Sequence, residues 1–407
     1  MEISTGALVL VPAIAALSPL LVRAVGRVIA IPLVVFEIVL GLVLGPAMLG
    51  WIQTDDFINL FADFGLAMLF FLAGNEIDFG TVRGRPLTRA AIGWIISLAA
   101  GIGIGALLSP DVPAAAFMGI ALTSTALGTI MPVLRDSGDL GTPFGTAVIA
   151  LGAVGEFGPL LAISVFLSGR QPWQSALVLL GFAVIAGLAI WVAARGVGRR
   201  LHTIITATLH TSGQFAIRFV MFVLLSLVAL SIVLDLDMLL GAFTAGVIWR
   251  LLLTGAPKHE AEMVESKLEA VGYGLLVPVF FINTGLTFDL EALASVPSNV
   301  VHVPIILVVL LIVRGLPSLL AAPPGSSRRD LVATGLFGAT GLPIIVAVTA
   351  IGVDNGDLPS GTAAALVGAG MLSVLLFPLI ALSIRGRRDP GAPLRTRRDD
   401  LGVPSEG

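Results

Sequence analysis

Apolar stretches of about twenty residues, the length at which a helix crosses a bilayer, recur along the whole of this chain. Thirteen are legible, near 5–24, 28–49, 57–77, 87–108, 113–134, 144–168, 173–194, 214–234, 236–254, 267–288, 301–321, 330–352 and 361–384. Lipid offers backbone N–H and C=O groups no partners, so open-ended segments of this kind must be helices. The expected fold class is an all-α polytopic membrane protein. Composition agrees: of 407 residues, 57% are hydrophobic and 12% charged, against about a quarter charged in soluble domains. The first stretch opens close to Met1 without a basic n-region or small-residue cleavage site, and is expected to be a retained span.

Several chemistries drop out at once. The chain has no cysteine, and its four histidines are scattered, so thiolate sites, disulfides and clustered imidazole ligands are not expected. There is no P-loop and no basic, aromatic-rich patch outside the membrane loops, so neither a nucleotide nor a nucleic acid is an expected partner. No enzyme activity and no cofactor are expected.

Charge sets the expected orientation. With the N-terminus outside, the inward loops carry Arg23 and Arg27, then Arg83, Arg85 and Arg89, then Arg135. Arg195, Arg199 and Arg200 follow, then Arg250, Lys258 and Lys267, then Arg328 and Arg329, and last the Arg-rich tail from Arg385. The outward loops hold Arg170 and otherwise acidic or neutral residues such as Asp55, Asp56, Asp354 and Asp357. Basic residues mark the cytoplasmic side, so the expectation is N-terminus outside, C-terminus cytoplasmic, in the cell membrane. The polar tail 386–407 is expected to lack fixed structure.

A faint internal repeat is visible. Glu37-Ile-Val-Leu-Gly41 in the second span echoes Asp237-Met-Leu-Leu-Gly241 in the ninth, and Phe70-Phe71 through Asn75 in the third echoes Phe280-Phe281 through Gly285 in the tenth. Both pairs stand seven spans apart, an odd number, so the units point opposite ways across the membrane, as in secondary transporters. The expected organisation is repeat one over 5–168, a linker helix over 173–194 and repeat two over 214–384, together a transmembrane domain over 1–385.

Few ionisable groups lie deep in a span. Glu156 sits near the centre of the sixth, in Gly152-Ala-Val-Gly155-Glu156-Phe-Gly158-Pro159. A carboxylate at the bilayer centre is costly unless protonated, hydrated or ion-bound, which makes it a functional residue by default. Burial favours the neutral form of an acid, so such a group binds a proton or a cation. The bland alternative is a structural carboxyl bonded to neighbouring helices. Arg314 lies mid-span in the eleventh stretch; a guanidinium there needs a partner, and Glu156 or another inward carboxylate is the candidate. It serves either the site or a permanent structural pair.

Two spans look interrupted. The fifth holds Leu122-Thr123-Ser124-Thr125-Ala-Leu-Gly128 and the twelfth Gly338-Ala-Thr340-Gly341-Leu-Pro343. Small hydroxylated residues beside Gly and Pro free backbone carbonyls at mid-membrane depth, where half-helix ends can hold ions; ordinary small-residue helix packing is the alternative. Asn75 and Asn283 are candidates to line the ion path. Glu76 and Asp78 are expected at the membrane edge beside Arg83 and Arg85, in a structural role, and Glu37 is expected to pair locally.

Four segments together resemble one family. They are Ile31-Pro-Leu-Val-Val-Phe-Glu37 through Gly45-Pro46, Phe64 through Gly74-Asn75-Glu76-Ile-Asp78, Ala121-Leu-Thr-Ser-Thr-Ala-Leu127, and Val279-Phe-Phe-Ile-Asn-Thr-Gly285 through Asp289. In order and spacing the chain is similar, over residues 1–385, to the monovalent cation:proton antiporter-2 family of sodium/proton exchangers and potassium-efflux antiporters. The resemblance implies an inverted-repeat fold, a helix panel that forms a homodimer, and a mobile core domain carrying crossed, unwound fifth and twelfth helices. It puts Glu156 at the family's ion-binding aspartate, Arg314 at its basic residue, and Thr123, Ser124 and Thr340 at the helix crossing. The family has Asn, Asp or Gln immediately before its acid, where this chain has Gly155. The expected function is exchange of a monovalent cation, Na+ or K+, for H+ by alternating access, with Glu156 binding either ion and Thr123 and Ser124 as ion-binding neighbours. An ion-coupled symporter of a small solute, or a transport-inactive sensor or channel of the same fold, are the alternatives.

Overall fold

The computed structural model describes residues 5–25, 32–77, 82–109, 111–167, 171–192, 214–253, 258–295 and 297–385. Arg27, Asp78, Arg170, the 195–200 basic loop and the tail 386–407 lie outside them. All regular structure among the described residues is helical. In chain order the helices are α1 (Thr5–Val25), α2 (Leu33–Leu44), α3 (Asp56–Glu76), α4 (Arg85–Leu108), α5 (Val112–Ala121), α6 (Leu127–Asp136), α7 (Pro143–Phe166), α8 (Pro172–Val192), α9 (Phe215–Val233) and α10 (Met238–Leu253). Then come α11 (Lys258–Val271), a π-helical segment Gly272–Leu276, α12 (Val277–Leu286), α13 (Leu290–Ser295), α14 (Pro297–Leu310) and a second π segment, Leu311–Gly315. After the turns at Leu316–Ala321, α15 (Arg328–Gly338), α16 (Pro343–Asp354) and α17 (Ser360–Arg385) complete the chain.

Among the described residues, nine helices are long and apolar enough to cross a membrane, and four further apolar helices are shorter. Each expected stretch coincides with helix. Their ends follow local chemistry. Proline occupies the first or second position of α4, α5, α7, α12 and α16, where its missing N–H costs nothing. Asp55 caps α3 by accepting from the Ile58 N–H, Thr142 caps α7 by accepting from the Gly145 N–H, and Ser327 with Asp330 forms a capping box on α15.

The helices gather into two groups. In one, α3 packs along α10 and α12, α2 along α12, and α9 along α10; in the other, α4 packs on α5 and α7, and α17 on α14, α15 and α16. Glycines set the tightest seams of the first group. A Cβ on Gly41 would collide with the Ile282 carbonyl, and one on Gly285 with the Ile38 carbonyl. Likewise Gly246 fits against the Phe71 carbonyl and Gly74 against the Phe243 carbonyl. Small residues at these crossings let backbones touch. The two seams match: Gly41 answers to Gly246, Ile38 to Phe243, Gly74 to Gly285 and Phe71 to Ile282. The sequence echo is therefore shifted. The structural counterpart of Gly41 is Gly246 and not Gly241, because close packing sets the register and the Glu37/Asp237 likeness does not.

In the second group, α5 stops at Ala121 and α6 starts at Leu127, while α15 stops at Gly338 and α16 starts at Pro343. The two interruptions face each other. The Ala126 N–H donates to the Thr340 carbonyl (2.7 Å), and the Thr125 N–H donates to the Gly155 carbonyl of α7 (3.0 Å). Backbone groups freed by each break are thus partly satisfied by the other and by α7, as the absence of water requires.

Candidate functional site at the helix crossing

Glu156 points from α7 into this crossing and is 4% exposed. Its Oε1 accepts the N–H of Leu127, the first residue of α6, at 2.8 Å. An anion here meets the positive end of a half-helix. Its Oε2 is buried and has no partner in the protein. One oxygen is held and the other is free to take a proton or a cation.

Arg314, fully buried, comes from the second π segment, a distortion common at functional sites. Its Nε donates to Thr125 Oγ1 (2.9 Å) and its Nη2 to the Leu151 carbonyl (3.0 Å), while Nη1 has no partner. Thr125 Oγ1 in turn donates to the carbonyl of Gly338, the last residue of α15 (2.6 Å). Arg314 pairs neither with Glu156 nor with another carboxylate among the described residues. Each charge instead faces an opposite half-helix end, the carboxylate at the start of α6 and the guanidinium, through Thr125, at the end of α15. That leaves Glu156 uncommitted.

Gly155 explains itself in this geometry. An added Cβ would stand 2.5 Å from Thr125 Oγ1 and 2.8 Å from an Arg314 nitrogen. The space that a polar side chain would fill is already occupied by the Thr125–Arg314 pair.

The other expected residues divide. Ser124 is buried, its hydroxyl has no partner, and it lies against Gly341, whose added Cβ would be 2.5 Å from Ser124 Oγ. Gly341 also exchanges hydrogen bonds with Ser373 of α17 (3.1 and 3.0 Å). Thr123 and Thr340 sit at the crossing, each with its hydroxyl donated back to its own helix, to Ile120 and Leu336. Asn75 is buried near the end of α3 with an unpartnered carbonyl oxygen. Asn283 is not beside it: its amide donates to Asn59 (3.2 Å), sixteen residues before Asn75 on α3, about 24 Å at 1.5 Å per residue. The two asparagines therefore stand at different depths along α3.

Glu76 is the last residue of α3 and half-buried: Oε2 is buried without a partner, and Oε1 accepts from Tyr273 (3.4 Å), with Glu156 within electrostatic reach. Glu37 does not pair locally; its Oε1 is buried and unpartnered, which the apolar pattern of α2 does not reveal.

A multi-pass membrane protein whose two interrupted helices cross beside one uncommitted carboxyl is the class that this fold and site define. The chain belongs to the sodium/hydrogen exchanger, transmembrane family, whose model matches residues 13–382. It is 25% identical over 397 residues to YjbQ of Bacillus subtilis, covering 92% of this chain and 62% of that protein, less than two thirds of the relative's length. It is 24% identical to the Na+/H+-K+ antiporter GerN of Bacillus cereus, over 88% of this chain and 91% of the relative. In fold it is similar to the sodium proton antiporter MjNhaP1 of Methanocaldococcus jannaschii, with a TM-score of 0.66, 16% identity, and coverage of 93% of this chain and 99% of the other.

Proposed function

We propose that the protein is a secondary-active antiporter exchanging a monovalent cation, Na+ or K+, for H+, with Glu156 as the shared binding group. The observation that carries this is the half-held carboxyl: Oε1 fixed by the Leu127 N–H, Oε2 buried and unpartnered. A bare charge in that position is expensive, so the site is neutralised by a proton or by a dehydrated cation. The two exclude each other, which by linkage makes the cycle an exchanger. Ser124 and the carbonyls freed at the crossing are the oxygens within the same locale, and Thr123 and Thr340 border it. Arg314 keeps the crossing electrically balanced without occupying Glu156.

The grouping of helices supports alternating access. The group containing α4–α7 and α14–α17 moves against the group containing α2, α3, α9, α10 and α12 only when Glu156 is neutralised. The names of the sequence relatives support the cation and the proton as cargo; the transported ion is substrate, with no resident cofactor. The same reading has the chain in the cell membrane, N-terminus outside and C-terminus cytoplasmic, as a homodimer through the first helix group, with repeats over 5–168 and 214–384 joined by the linker helix.

The test is cation-dependent proton flux in proteoliposomes. Wild type responds to Na+ or K+ pulses; Glu156→Gln, which keeps the shape and loses the charge, is expected to lose at least about 100-fold of the rate, about 2.7 kcal/mol. Exchange by Glu156→Gln at the normal rate would end this reading.

A further inference from the structure

Glu37 belongs to α2, yet its 2% exposed side chain lines a cavity of about 70 Å3 shared by both helix groups. Leu69 of α3, Tyr273 of the first π segment and Phe281 of α12 contribute from one group, and Gly128 and Thr129 of α6 from the other. The volume admits water. Apart from Thr129 and Tyr273, whose hydroxyls donate to Ala126 and Glu76, the walls are apolar, and Glu37 Oε1 has no partner. Gly128 directly follows Leu127, whose N–H holds Glu156, so the cavity abuts the main site. It touches the moving seam from both sides.

An ionised carboxyl in so apolar a pocket carries a large uncompensated desolvation cost, and no positive group stands by to offset it. Among the described residues of the elements packed on α2, α1 offers only Arg23, which is exposed at its far end, α12 has no titratable group, and α17 has only Arg385, which is engaged by Asp139 and Asp330. Of the cavity walls, only Tyr273 titrates besides Glu37, and its hydroxyl is directed to Glu76.

We propose that Glu37 is a second proton-binding site, protonated while the seam is closed and exchanging its proton as the seam opens and wets. The mechanical part rests on the antiport reading; the proton-binding part does not. Its consequence is that the pH response of transport has two components, one from Glu156 and one from Glu37.

The experiment uses the full chain in two arms. In infrared difference spectra between acid and alkaline pH, wild type is expected to show buried-carboxyl bands, of which one is removed by Glu37→Gln and another by Glu156→Gln. In proteoliposomes, Glu37→Gln is expected to keep exchanging, with the pH of half-maximal rate displaced by at least about one unit, tenfold in proton concentration. Where Glu37→Gln does not fold, Glu37→Asp keeps the acid and displaces its band. A carboxyl spectrum unchanged by either substitution overturns the proposal, and so does an undisplaced pH profile. If Glu156→Gln transports normally the antiport reading fails, while the infrared arm still decides Glu37.

Discussion

At the residue scale, the crossing keeps its two charges apart. A direct Arg314–Glu156 pair would satisfy both and leave nothing to bind an ion. Thr125 prevents it by taking the guanidinium Nε and passing the bond to Gly338. That arrangement depends on Gly155 having no side chain. Gly155→Ala is expected to lower the melting temperature of the detergent-solubilised protein, because overpacking against a buried Thr and Arg costs about 1–3 kcal/mol, more than the roughly 1 kcal/mol that Ala gains in a helix. Gly128→Ala is the control: its added Cβ meets only Leu69 at 3.6 Å and Tyr273 at 3.7 Å, ordinary contacts, and stability is expected to hold or rise. Equal losses in both variants would contradict the packing argument. Glu156 was legible in the sequence because a lone acid amid apolar residues stands out. The partners of Arg314 were not, since Thr125 lies 189 residues away and only the tertiary crossing joins them.

At the element scale, the interruptions of the fifth and twelfth spans were legible from Gly, Pro and hydroxyl clustering, and the helix ends fall where those residues stop the α pattern. What the pattern does not carry is rotation. Helices that are apolar on nearly all sides have no stripe to reveal which face turns inward, so the inward placing of Glu37 and Ser373 is not legible in the sequence. Another unforeseen device is a clasp at the end of α17. Arg385 bonds Asp139 before α7 at 2.6 Å and Asp330 in the first turn of α15 at 2.7 Å, and lies 3.6 Å over the Phe144 ring. It ties three helices of the second group at one end. Arg385→Ala leaves Asp139, 4% exposed, without its cation, and is expected to destabilise by about 3 kcal/mol, read as a lower melting temperature. Arg385→Lys restores only part, since an ammonium lacks the fork that spans two carboxylates. Unaltered melting in the alanine variant would mean the clasp contributes nothing.

At the scale of the whole molecule, the paired glycine seams, Gly41 with Gly285 and Gly74 with Gly246, hold one helix group together by backbone contact. The crossing holds the other. Between them lies a thinner boundary, and the two acids outside the crossing, Glu37 and Glu76, stand along it. In the proposed exchange, one carboxyl takes either ion before one group moves past the other. The most direct test is the apparent KM for the transported cation as a function of pH in proteoliposomes. Competition at Glu156 predicts that on the acid side KM rises about tenfold per pH unit while the maximal rate is unchanged, since each added proton must be displaced by cation. A KM independent of pH, with the maximal rate falling instead, would contradict it.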